Sequence, residues 1–207
     1  SESFRWSRAE PVKRISLDNL PAARFFRDVG LVSMHSAYTR PEENVRMEFR
    51  SSPFGGTGHG HADQNIFQVM AYNEPLLIDS GYYTPVGDPH HSAWTSQTKA
   101  HNSILVDGKG QADDNTGYGI IRHFEQNHHW VYTVGSAAAG YKDVDLELFD
   151  RHVIWLKGRS GQNYVIIDDL RAGDAKPHRF DWLLHAEEQM KIDKAQRRVV
   201  VRGKNGE

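Results

Sequence analysis

Short runs rich in Val, Ile, Tyr, Phe and Trp, broken by Gly, Asp and Asn, recur along the whole chain, whereas long stretches with helical apolar spacing are scarce. The runs that predict strands are 31–38, 44–50, 66–71, 74–78, 102–106, 128–135, 146–157, 162–170, 178–185 and 197–202. VDGKG (106–110) and KGRSGQN (157–163) are Asp-Gly and Ser-Gly turn signals between such runs. LPAARFFRD (20–28) predicts one short helix or a lead-in. Many short strands punctuated by turns make the chain all-β, an antiparallel sandwich or barrel. The polar segment 81–99 is too long to be an idle connection and reads as a functional loop.

The 207 residues suit one domain, 1–207, large enough to bury a sizeable core. A net charge of −2 gives no global basic field, so neither nucleic acid nor an anionic membrane is an expected partner. No apolar run reaches the length of a membrane span, and SESFRWSRAE has no signal-peptide core. Cysteine is absent, which excludes disulfides and thiolate chemistry. RRVVVRGKNGE ends in a turn signal directly after a strand, as if a hairpin were cut, so the chain is expected to be a fragment of something longer, truncated at both ends.

Histidine stands out at 12 copies, and neutral imidazole is both a metal ligand and a proton carrier near neutral pH. In SSPFGGTGHGHADQN (51–65), His59 and His61 lie two apart, a spacing that puts both rings on one face of a strand. Asp79 closes the apolar run PLLID, and His101 stands directly before another apolar run in KAHNSILVDG. Two histidines and a carboxylate on neighbouring strands would make a zinc-type site with a fourth position open. Each piece also has a plainer reading. His59 and His61 would be ordinary polar histidines, Asp79 a turn former, and His101 with Asn102 a polar pair at a strand start. His90 and His91 would point to opposite faces if extended, and His185 in DWLLHAEE reads as a buried, hydrogen-bonded histidine.

GTGHGHADQNIFQVMAYNEPLLIDSGYY, followed by PHHSAWTSQTKAHNSILVDGKGQ, resembles the C-terminal sheet domain of heparinase II/III-like polysaccharide lyases, which include heparin, heparan sulfate and oligo-alginate lyases. The similarity runs from LPAARFFRDVGLVSMHS through FDWLLHAEE. It implies a large, two-sheet, supersandwich-like antiparallel domain that follows an α/α toroid, with the active cleft between them. By the same resemblance His59 matches the family's active-site histidine, and His61, Asp79 and His101 match its zinc ligands, the zinc being of structural kind; that division needs a bend at Gly60, with the glycines of 55–60 bringing His59 to the cleft surface while His61 turns toward Asp79 and His101. The family's principal tyrosine lies in the toroid, so the isolated chain is expected to be inactive. The partners implied are an acidic polysaccharide or oligosaccharide, the helical domain and, as a further option, a second copy of the chain. The implied setting is bacterial, periplasmic or secreted.

The implied reaction is β-elimination on a uronide, which builds negative charge on the sugar carboxylate and needs donors near it. Asn65 offers a neutral donor, or else caps the turn before the strand at 66. Tyr82 or Tyr83 offers a phenol for proton transfer, or else packs within its loop. Arg50 and Lys99 are cations for a carboxylate or sulfate, and Trp94 an indole to stack on a sugar ring. Two other readings stand beside the lyase: a cupin-like metal enzyme, weakened because Asp79 lies too far from the His-x-His pair, and a non-catalytic carbohydrate-binding or structural sandwich.

Overall fold

The structure is a computed structural model that describes residues 15–56, 59–79, 85, 87–158 and 162–204. Strands β1 (Ala23–Phe26), β2 (Leu31–His35), β3 (Val45–Arg50), β4 (Ile66–Ala71) and β5 (Glu74–Leu77) follow one another as an antiparallel five-stranded meander. The period of two in the sequence decides which side each residue takes. Val32 and Met34 of β2 and Met47 and Phe49 of β3 are buried, whereas Ser33 and Glu48 between them lie on the other face.

After the short β6 (Ile104–Val106), the strands β7 (Ile120–Gln126), β8 (Trp130–Ser136), β9 (Leu146–Lys157) and β10 (Gln162–Ala172) form a second antiparallel sheet in the order β10-β9-β8-β7. Ala23, Val32, Met34, Met47, Phe49 and Phe67 from the first sheet pack against Val131, Val153 and Trp155 from the second, which makes a two-layer sandwich. A smaller cluster of Ile104, Val106, Ala137, Tyr141, Leu146 and Phe149 lies under β6 and its partner β11 (Phe180–Trp182). Strands β12 (Lys191–Asp193) and β13 (Arg198–Val200) form a separate hairpin. Among the described residues no helix is long and apolar enough to cross a membrane.

Three expectations are corrected. Residues 23–26 are a strand instead of part of a helix, because pairing with β2 sets Ala23 against Met34 and buries its methyl group completely. A single 3₁₀ turn at Arg27–Val29 and Gly30 at φ 64° close that hairpin. The strand β7 was not expected: it is an edge strand with a register shift between Ile121 and His123, so its apolar residues do not alternate in the written order. Strand β12, too short to carry a pattern, was also unexpected. The segment 87–99 is structured, with a π-turn at His91–Thr95 and a 3₁₀ turn at Thr98–Ala100.

The chain topology brings three connections to one end of the sandwich. They are the β3–β4 connection containing His61, the residues after β5 containing Asp79, and the turns before β6 containing His101.

Candidate metal centre and active site

Residues 59–65 do not form a strand, and their backbone groups are satisfied by neighbouring loops. Ala62 N–H donates to Ser96 O at 2.8 Å and Ala62 O accepts from Thr98 Oγ1 at 2.7 Å. Gln64 N–H donates to Gln111 Oε1 at 2.7 Å, and Gln64 O accepts from Gln111 Nε2 and Ser103 Oγ, each at 3.0 Å. Gln64 Oε1 in turn accepts from Ser52 N–H at 2.6 Å. Buried peptide groups need such partners wherever a strand ladder is missing. At Gly60 a Cβ would lie 2.5 Å from Gly55 O, so only glycine passes this point. The same-face expectation for the His-x-His pair therefore does not apply. His59 is exposed and His61 is buried.

Inside, the ligand atoms of His61, Asp63 and His101 lie within 4.8 Å of one another. The His61 and His101 rings are 5.3 Å apart, and His91 meets His61 edge-on at 5.7 Å. His101 is fully buried; its Nδ1 bonds Asp79 Oδ1, while Nε2 has no hydrogen-bond partner. Asp63 pairs with Arg50 and also accepts from Gln64 Nε2 at 3.3 Å. Burial, then the nearby His101, holds the His61 imidazole below its ordinary pKa and keeps it neutral. Burial also opposes charge on His101, but the bond and charge of Asp79 outweigh it and raise that pKa. Burial pushes the Asp63 carboxyl up against the opposing charge of Arg50. The residues fit a divalent ion of zinc type: two imidazoles, the Asp63 carboxylate within 4.8 Å of both, and a buried His101 Nε2 left unpaired, with Asp79 bonded to the other nitrogen of that ring.

A profile of the family described as Heparinase II/III-like, C-terminal, matches residues 18–207. The chain belongs to the heparinase II/III-like family. No curated protein matches it. Among solved structures, the heparan sulfate lyase HepC from Pedobacter heparinus is similar with a TM-score of 0.72, at 17% identity over 90% of this chain and 28% of that one. A HepC mutant gives 0.71, at 18% identity over 91% and 28%. The heparinase III known as the BT4657 gene product gives 0.56, at 18% identity over 72% and 22%. The likeness concerns the fold, and the chain spans only 22–28% of the length of those proteins.

In this heparinase II/III-like domain the expected site residues divide. His61, Asp79 and His101 come together, and Asp63, which sequence reasoning did not single out, joins them. Its signal was its place two residues after His61 in HADQN. Asn65 corrects the expectation of a donor facing substrate. It is fully buried with φ 55°, and its Nδ2 donates inward to Gly135 O at 3.1 Å and Phe149 O at 3.2 Å. Its backbone makes the turn before β4, and its amide ties that turn to β8 and β9. Arg50 likewise departs from a free cation: its side chain is 26% exposed and engaged with Asp63. Trp94 is half-buried on the π-turn, and exposed Lys99 sets its Nζ 5.8 Å from the indole centroid. His185, half-buried, meets the Trp94 ring edge-on at 6.2 Å, and Asn102 Oδ1 accepts its backbone N–H at 2.7 Å. Tyr82 and Tyr83 lie outside the described residues.

Proposed function

We propose that this chain is the sheet domain of a polysaccharide lyase that cleaves a uronic-acid-containing polysaccharide, of glycosaminoglycan or alginate type, by β-elimination. His59 is the group this domain presents to the reacting sugar. The observation that carries the reading is the division of one His-x-His segment into an exposed imidazole and a buried one packed in an imidazole–carboxylate cluster. Family membership supports it, as do the similar structures, which are heparan sulfate lyases and a heparinase III.

In the elimination, a base removes the proton from the carbon bearing the sugar carboxylate. The electron pair left behind forms the new carbon–carbon double bond, the glycosidic carbon–oxygen bond breaks, and the departing oxygen takes up a proton. The His59 ring nitrogens can donate to the carboxylate as its charge grows or move a proton. Lys99 beside the Trp94 face suits an anionic sugar ring. The remaining catalytic groups belong to the helical domain, and a polymeric substrate fits a periplasmic or secreted enzyme.

As part of the same proposal, His61, Asp79 and His101 hold zinc. Bound there, zinc would tie three connections together and fix the backbone that carries His59. Asp63 is the second candidate for the carboxylate position, favoured by its placement within 4.8 Å of both rings and by the unpaired His101 Nε2.

The complete gene product is to be incubated with heparan sulfate, heparin, chondroitin, hyaluronan and alginate, and ultraviolet absorbance of an unsaturated uronate followed. Absorbance on at least one of them is expected, and silence on all of them overturns the lyase reading. His59→Ala should abolish turnover while zinc content and fold persist. His61→Ala should lose the zinc, and comparison of Asp79→Asn with Asp63→Asn assigns the carboxylate.

A further inference from the structure

A charged pair, Arg151 and Asp168, lies on the core face of the second sheet. Along β9, Phe149, Arg151, Val153 and Trp155 point inward in alternation, and all four are buried, Arg151 completely. Its guanidinium spends four hydrogen bonds. Nε and Nη2 grip both oxygens of Asp168 on β10, at 2.7 and 2.9 Å, while Nη1 donates to Asn65 O at 2.6 Å and to Asn102 O at 2.7 Å. The rings of Phe67, Phe149 and Trp182 surround it at 5.5–5.9 Å.

A buried Arg–Asp pair is weak evidence for stability, because apolar residues of similar volume often serve a core as well or better. The distinctive property of a guanidinium is its planar fork, which holds its acceptors in fixed relative positions. Here the two carbonyls on the single nitrogen Nη1 come from different connections. Asn65 ends the segment bearing His61 and Asp63, and Asn102 follows His101. The Asn102 amide then extends the tie, donating to Ile78 O at 3.0 Å, one residue before Asp79, and to Phe67 O at 2.8 Å.

We infer that Arg151 is a positioning residue of the metal centre: it sets the separation between the segment bearing His61 and Asp63 and the one bearing His101, with Asp168 orienting it. This rests on the metal-binding part of the proposed function, and holds whichever carboxylate completes the ligand set. Outer supports of this kind typically change metal affinity about ten- to a hundred-fold when removed.

The test uses the purified protein stripped of metal, with zinc affinity read by chelator competition, the visible spectrum of bound Co²⁺ as a report of ligand geometry, and melting of the metal-free form as a control. The double variant Arg151→Met/Asp168→Leu replaces the ion pair by apolar groups. It leaves Asn65 O and Asn102 O without their donor, so it is expected to melt below the parent yet stay folded, bind zinc about ten- to a hundred-fold more weakly, and show an altered Co²⁺ spectrum. Should it fail to fold, Arg151→Lys keeps the charge opposite Asp168 but loses the fork, and the same weakening and spectral change are expected of it. A folded variant with parental zinc affinity and an unchanged Co²⁺ spectrum would overturn the inference and leave Arg151 a core residue only. A parent protein that binds neither Zn²⁺ nor Co²⁺ would overturn the metal reading itself, and the inference with it.

Discussion

The space between the two sheets and the polar end of the sandwich are built on different physics. Between the sheets, Met34, Met47, Phe49, Val153 and Trp155 are held by exclusion of water and close fit, which are non-directional. At the end, residues 61–65, 96–103 and 111 meet through directed hydrogen bonds, with Gln64 and Gln111 serving each other's groups. The first region contributes most of the stability. The second contributes position, and a single missing donor there leaves a buried group unpaired. Polar chemistry can therefore be kept dry at the end of a fold whose stability is generated elsewhere.

Substitutions can break this contrast. The largest effect is expected from Trp155→Ala, which should cost about 3–5 kcal/mol in urea denaturation while folded molecules keep the parental zinc affinity. A large loss of affinity in that variant would erase the distinction between the regions. Gln111→Ala strips Gln64 N–H of its partner and should cost about 1–3 kcal/mol, this time with weakened zinc binding in the same titration.

A smaller, pH-dependent effect is expected away from both regions. His178 bonds Asp174 through Nε2 at 2.5 Å and Asp107 through Nδ1 at 2.7 Å, joining the turn after β6 to the loop after β10. The bond to Asp174, then that to Asp107, raises its pKa. A pKa raised by folding gives stability that is full below the unfolded value and fades as pH rises through the folded one. His178→Gln should thus lower the melting temperature more at about pH 5.5 than at about pH 8.5, and equal losses would refute the assignment. The smallest effect belongs to exposed His59: His59→Ala should lower the melting temperature only slightly, and a large loss of stability would mean the ring has a structural task.

Strands 31–35, 45–50, 66–71, 146–157 and 162–172 were legible because one face of each is buried and the side-chain period is two. Strand 23–26 was hidden because its Ala and Arg suit a helix equally well, and only the partner strand decides. The approach of His61 to His101 could be anticipated from polar residues placed at the edges of apolar runs. The outward turn of His59 and inward turn of His61 could be anticipated from the glycines up to Gly60, but the loop hydrogen bonds that hold it, made across the chain by Thr98, Ser103 and Gln111, could not. Arg151 was not singled out in FDRHVIW, because its acceptors give no local trace.

Those acceptors are distant along the chain, 86 residues away at Asn65 and 49 at Asn102. Contacts of such long sequence separation are slow to form, because the intervening loops must close before anything is gained. The segments bearing His61 and His101 are synthesised well before β9, and acquire their final spacing only once β9 has docked on the meander. On the proposed zinc site, metal capture would come late in folding, after the sandwich has closed, and a nascent chain lacking β9 would hold its histidines in a loose, exchangeable form.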